Sequence, residues 1–246
     1  MAKRIVVDIF IPCFVDQCFP DTAMNMVKVL ERLGCEVNYN PNQTCCGQPA
    51  FNAGFFDEAR EVANKFLDDF SNDSSHYIVA PSASCVGMVR NAYQDIFVKS
   101  SNLVKYRTMQ KKVYELTEFL TDVIGIVSVP GAALFGKATY HDSCSALREC
   151  GIKAGPRALL QGVEGLELME MEDNETCCGF GGTFAVKFEA ISSAMAEQKV
   201  ENALATGADY IVSTDSSCLM HIDAYIKKQN KPIRTMHIVD VLASGW

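Results

Sequence analysis

Two similar α/β lobes with mainly parallel sheets, residues 1–130 and 131–246, are the architecture that this 246-residue sequence predicts. Three observations carry it. Apolar, β-rich runs alternate with amphipathic segments, the order expected of parallel strands joined by helical crossovers. That order is traversed twice. Finally, Thr44-Cys45-Cys46-Gly47 returns as Thr176-Cys177-Cys178-Gly179, and in both halves the doublet lies between lone cysteines at matching distances.

Residues 5–10 form the first β-rich run and end at Pro12-Cys13. Pro20-Asp21 opens a helix, because proline is tolerated in a first turn, and Ala23, Met26, Val27, Leu30 and Leu33 share one face of it. Gly34 stops this helix, residues 35–39 alternate as a short strand, and Pro41-Asn42 turns the chain toward the first doublet. Phe56, Ala59, Ala63, Phe66, Leu67 and Phe70 recur at helical spacing, after which the strand Tyr77–Ala80 leads to Cys85. In the second half residues 137–140 lead to Cys144, Pro156 opens a helix, residues 166–171 alternate, and Tyr210-Ile211-Val212 follows Gly207 and leads to Cys218. Both halves end alike, residues 115–120 paralleling 237–242, so a boundary is expected within 125–136. Such lobes are Rossmann-like, with internal duplication relating them. Ligands of parallel α/β sheets gather beyond the carboxyl ends of the strands, and the cysteines are expected there.

A chain of this length with 48% hydrophobic residues buries enough surface to need no covalent staples, so its eleven cysteines require another explanation. Met1-Ala2-Lys3-Arg4 precedes an apolar run that Asp8 interrupts, without a small-residue cleavage pattern, which predicts a cytoplasmic protein with reduced thiols. The apolar stretches are far too short to cross a bilayer, so membrane contact is expected only through partners. A net charge of −8 without a lysine or arginine cluster argues against nucleic acid and leaves proteins or small molecules as partners. No GxGxxG follows the first strand and no phosphate loop is present, so nicotinamide, flavin and nucleotide binding find no support.

The candidate metal ligands are Cys13, Cys45, Cys46 and Cys85 in one half and Cys144, Cys177, Cys178 and Cys218 in the other. Equivalent positions are offset by 131, 132, 132 and 133 residues, far too regular for scattered buried thiols. Adjacent cysteines diverge and chelate a single ion poorly, whereas the separate irons of a cluster can each take one sulfur. Soft thiolates select iron–sulfur clusters, zinc or Cu(I). The glycine after each doublet lets the backbone approach closely and offers a peptide N–H to sulfur. Two other classes stay open: a zinc-binding structural or adaptor protein, since four thiolates suit tetrahedral zinc, and a thiol–disulfide enzyme, although no CxxC is present.

This arrangement resembles, over nearly the whole chain, the CCG or cysteine-rich domain found in heterodisulfide reductases and related iron–sulfur oxidoreductases. The run Thr176-Cys177-Cys178-Gly179-Phe180-Gly181-Gly182-Thr183-Phe184, with Cys218-Leu219-Met220 and Met236-His237-Ile238, resembles more narrowly the lactate-utilisation members of that family. The resemblance implies iron–sulfur clusters, [4Fe–4S] in type and one per lobe, held by the eight cysteines. It also implies an electron-transfer role in oxidising L-lactate, or a related 2-hydroxy acid, to pyruvate. The implied partners are a ferredoxin-like iron–sulfur protein and a third protein of the same complex. One departure matters: the family's full motif ends Cys-x-x-Cys, and Met88 and His221 stand where its last cysteine would be. Each site therefore offers four motif thiolates, which disfavours a five-thiolate noncubane cluster and leaves an ordinary [4Fe–4S] or an unusual one open.

Other residues have blander expectations. His221 reads first as a neighbour of the second site, with ligation as the sharper alternative. His141-Asp142 reads as a pair satisfying loop hydrogen bonds, with proton transfer for a bound 2-hydroxy acid as the alternative. Cys18 and Cys150 fall outside the motif, Cys35 reads as a core residue, and Arg90, Arg148 and Lys187 read as solvated charge.

Overall fold

The computed structural model describes residues 4–70 and 75–246. Val6–Ile9 (β1), Glu36–Tyr39 (β2), Tyr77–Ala80 (β3) and Val113–Glu115 (β4) form one sheet in the order β2-β1-β3-β4. Ala133–Tyr140 (β5), Glu164–Met169 (β6), Tyr210–Ser213 (β7) and Arg234–His237 (β8) form the second in the order β6-β5-β7-β8. Every pairing is parallel, so the second sheet repeats the first strand for strand. In each sheet the chain runs outward from the central first strand and then returns to its other side, placing a topological switch between the first and third strands.

The helices form where apolar spacing and local signals coincide. Pro20 begins the helix Pro20–Arg32, whose buried stripe is Thr22, Met26, Val29 and Leu30, and Gly34 ends the turn at φ 82°. Phe56–Phe70 buries Ala59, Ala63, Phe66, Leu67 and Phe70, the spacing seen in the sequence. Ala154–Gln161 starts two residues before Pro156, which therefore sits inside the first turn, where its missing N–H costs nothing. Sequence periodicity gave no sign of the helix Glu189–Ala205, because two of its buried positions are Ser192 and Lys199. Among the described residues no helix is long and apolar enough to cross a membrane.

One core is common to both halves. It joins Val7, Met26, Val29 and Leu30 of the first to Leu159, Val212, Val239 and Leu242 of the second. Polar contacts reinforce this union: Thr22 Oγ1 and Asn25 Nδ2 donate to Asp240 at 2.8 and 3.0 Å. Nearer the strand ends, the buried Asp215 carboxylate accepts from Ser82 Oγ at 3.1 Å and Ser84 N–H at 3.0 Å across the halves, and from Ser143 Oγ within its own. Each half also adds its own outer core, rich in Phe66, Phe70, Tyr93, Phe97 and Tyr106 in the first and in Val200, Ile211, Ile222 and Ile226 in the second.

The residues that end β4 and β8 cap the helices that follow. Glu115 accepts from Thr117 N–H at 2.7 Å and Glu118 N–H at 3.3 Å, whereas His237 uses Nδ1 to accept from Val239 N–H at 3.2 Å and donates through Nε2 to Thr214 O at 3.0 Å. Glu115 is fully buried, and desolvation pushes its carboxyl up to about 8 from an ordinary 4.5. The folded protein then binds a proton that the unfolded chain releases, so stability should fall as pH rises from about 4.5 to about 8 and level off above that. Glu115→Gln keeps a capping oxygen and removes the titration. Denaturant melts across this range should show a flatter pH profile for the variant and greater stability than the parent at pH 9.

Candidate metal centres

The cysteine-bearing segments all leave the carboxyl ends of strands. Cys13 starts the short helix Cys13–Cys18 after β1, Cys45-Cys46 lie in the loop after β2, and Cys85 lies in the helix Ala83–Gly87 after β3. Cys144 immediately precedes the π-helical turn Ser145–Glu149 after β5, Cys177-Cys178 lie in the loop after β6, and Cys218 is in the first turn of Ser216–Lys228 after β7. The crossovers thus return three loops to one edge of each sheet.

All eight thiols meet there, in two quartets. Cys13 Sγ stands 3.6 Å from Cys45 Sγ, and Cys46 shares hydrogen bonds with both Cys45 and Cys85. In the second lobe Cys177 bonds Cys144 and Cys178, and Cys178 bonds Cys218. Four sulfurs so close cannot all ionise without a cation. Hydrogen bonds from Cys13 and Cys46 hold Cys45 far below the usual thiol range, and those from Cys144 and Cys178 do the same for Cys177. Their neighbours are pushed far up: Cys13 and Cys144 by the bond they give, Cys46 and Cys178 by contact with two sulfurs and by burial. In each quartet the first sulfur of the doublet is thus the one most ready to carry charge, and soft metal centres bind such clustered sulfurs as thiolates.

The glycine after each doublet donates its N–H to the first sulfur of the pair, Gly47 to Cys45 at 3.3 Å and Gly179 to Cys177 at 3.4 Å. Both adopt positive φ, 82° and 93°. Their surroundings differ. A methyl group on Gly47 would meet Val62 at an ordinary 3.4 Å, whereas one on Gly179 would lie 2.6 Å from Ser192 O.

The environment of the second quartet is polar where that of the first is apolar. His141 N–H donates to Val212 O at 2.8 Å, the counterpart of Phe10 N–H to Val79 O at 2.9 Å, so the two residues hold the same backbone place. Phe10 stacks edge-on with Phe66 and Phe70, ring centroids 4.9 and 5.7 Å apart. His141 instead is fully buried with neither ring nitrogen hydrogen-bonded, and burial pulls its pKa down to about 3. Donor atoms of His141, Cys178 and Cys218 lie within 4.8 Å of one another. Soft sulfur donors gathered from three loops and a poorly partnered imidazole beside two thiols fit a metal centre. The buried Lys199 occupies the place of Phe66 and gives its ammonium to the carbonyls of Asp173 and Asn174.

His221 has one ring nitrogen engaged beside the doublet loop. Its Nε2 pairs with Ser192 Oγ at 3.1 Å, while that hydroxyl donates to Gly179 O at 2.7 Å, so His221 braces the doublet loop. Asp142 is likewise tied down: Arg157 grips it at 2.9 and 2.7 Å while binding Glu170 through Nε at 2.6 Å, which makes Asp142 an anchor for the Cys144 loop. Arg90 is not the solvated charge expected of it, for it forms a half-buried bidentate pair with Glu118 at 2.9 and 2.7 Å. Cys18 is exposed and Cys35 lies in the shared core, while Cys150 contacts Ala83 O at 3.5 Å; none joins a quartet. The loops of the two sites touch, with Phe14 and Phe180 edge to face at 5.7 Å.

Comparison with known proteins places this geometry among relatives. The Cysteine-rich domain family, CCG, matches residues 7–90 and again 138–223. The chain is 41% identical over 242 residues to lactate utilization protein A of Exiguobacterium sp., covering 97% of each chain. It is 42% identical over 239 residues to the protein of that name from Geobacillus sp., covering 97% of this chain and 99% of the other. A hypothetical protein from Helicobacter pylori shares the fold at a TM-score of 0.63 and 10% identity; the match covers 98% of this chain and 48% of that one.

The two glycines give a testable contrast. Gly47→Ala should cost about 1–2 kcal/mol, the strain of a positive φ alone. Gly179→Ala adds a clash with backbone and should cost about 3 kcal/mol or more in denaturant melts.

Proposed function

Because the chain belongs to the cysteine-rich CCG family and, within it, to the lactate utilization protein A relatives, we propose that it is an iron–sulfur electron-transfer subunit of lactate utilisation. The oxidation it serves is that of L-lactate, or a related 2-hydroxy acid, to pyruvate, in the cytoplasm, beside a ferredoxin-like iron–sulfur protein and a third protein. The observation that carries this reading is the meeting of four thiols from three separate loops, repeated in each lobe.

Cys13, Cys45, Cys46 and Cys85 hold one group and Cys144, Cys177, Cys178 and Cys218 the other, each of the [4Fe–4S] class. When bound, such clusters supply one-electron storage at potentials set by charge, hydrogen bonds and solvent. The chain's own residues do the rest. Adjacent cysteines present two sulfurs in different directions, Gly47 and Gly179 aim peptide N–H groups at sulfur, and burial of Cys46, Cys85, Cys178 and Cys218 keeps water from the inner side. The contact between Phe14 and Phe180 brings the rims of the two sites together, an arrangement suited to passing electrons between them.

Anaerobic purification followed by iron and acid-labile sulfide analysis tests this. Both should be present, and Cys45→Ser/Cys46→Ser or Cys177→Ser/Cys178→Ser should each remove about half of them. Stoichiometric zinc without sulfide, or a metal-free chain fully active with its partners, overturns the reading.

A further inference from the structure

The two sites share a backbone and differ in chemistry at four neighbouring positions. Phe10, Ala59, Phe66 and Met88 of the first lobe correspond to His141, Ser192, Lys199 and His221 of the second, at offsets of 131, 133, 133 and 133 residues. Three of the four polar replacements have clear partners: Ser192 with Gly179 O and His221, and Lys199 with two carbonyls. His141 has no well-formed partner for its ring, although the Asn174 backbone faces it. A fully buried imidazole with two unpaired nitrogens is costly, because each polar atom has lost water without replacement. In the equivalent place the first lobe buries Phe10, which carries no such cost.

The orphaned ring stands beside sulfur. One donor atom of His141 lies within 4.8 Å of those of Cys178 and Cys218, and the residue's backbone is fixed on both sides, by its N–H to Val212 O at 2.8 Å and by Ser213 Oγ to its carbonyl at 2.9 Å. We propose that His141 is a fifth donor to the metal group of the second site, which is thus a mixed imidazole–thiolate centre, while the first is ligated by thiolates alone. This rests on the iron–sulfur reading above. A neutral nitrogen adds no negative charge to the four thiolates, and the buried Lys199 ammonium near it makes the surroundings of the second site less negative than those of the first, where Phe66 stands. The second site is accordingly the electron sink of the pair.

The test uses the whole chain carrying Cys45→Ser/Cys46→Ser, so that only the second site is loaded. Protein grown with 15N-histidine is prepared anaerobically, reduced and measured by pulsed EPR, with iron and sulfide determined on the same samples. A strong histidine-nitrogen coupling is expected. It should vanish in His141→Leu and survive in His221→Leu. His141→Gln serves if the leucine variant does not fold. Iron and sulfide without a histidine-nitrogen coupling overturn the proposal while leaving the iron–sulfur reading intact, as does a coupling that survives in His141→Leu or is lost in His221→Leu. Absence of iron and sulfide overturns both.

Discussion

Sulfur atoms from residues some thirty to forty positions apart meet in one small pocket, and this is possible only because every crossover in a parallel sheet returns the chain to the same edge. β1 occupies the centre of its sheet with β2 and β3 beside it, and β5 has the same relation to β6 and β7. The loops after these three strands are consequently neighbours, whatever their separation in sequence. What the topology gathers, electrostatics would disperse, since four thiolates in contact repel one another. In the protein alone the conflict is eased by hydrogen bonds, Cys45 and Cys177 each accepting from two neighbouring thiols. A cation settles it differently, and the readiness of these quartets to take one follows from that repulsion.

Duplication preserved the scaffold and released the surroundings. The backbone bonds of Phe10 and His141 are interchangeable, and so are the glycine N–H contacts to Cys45 and Cys177. Beyond them the halves part. An aromatic stack of Phe10, Phe66 and Phe70 backs the first quartet, while the second is backed by an imidazole, an ammonium and a hydroxyl. The same divergence reaches the caps after β4 and β8, where a buried carboxyl in one half answers to an imidazole in the other. Equal geometry is thus combined with unequal polarity around the two quartets.

Much of this was legible in the residues themselves. The repeated Thr-Cys-Cys-Gly, the evenly offset lone cysteines and the Tyr-Ile-Val runs predict two parallel lobes and both quartets, because spacing and β-propensity are local properties. Three elements were not legible. β4 has only three residues, too few to show alternation, and β8 holds Arg234 and His237 among its four. The helix Glu189–Ala205 buries Lys199 and Ser192, which break its apolar period because they answer to carbonyls and a histidine nearby rather than to a greasy core. His141 could be singled out in the sequence, but its orphaned nitrogens could not, since absence of a partner is a property of the fold. Arg90 looked solvated for the converse reason: Glu118, its mate, lies 28 positions away.

The common core has a mechanical corollary. Helices from opposite ends of the chain, Pro20–Arg32 and Ile238–Leu242, bury against each other, and Asp240 bonds two side chains of the former. Prising the lobes apart would flood that greasy seam with water, strip Asp240 of both its donors and cost Asp215 the two that come from Ser82 and Ser84. The molecule accordingly behaves as a rigid mount rather than a clam, holding its sulfur-lined sockets at a constant spacing. Whatever those sockets take up is held at a separation set by the seam between the lobes and not by a hinge.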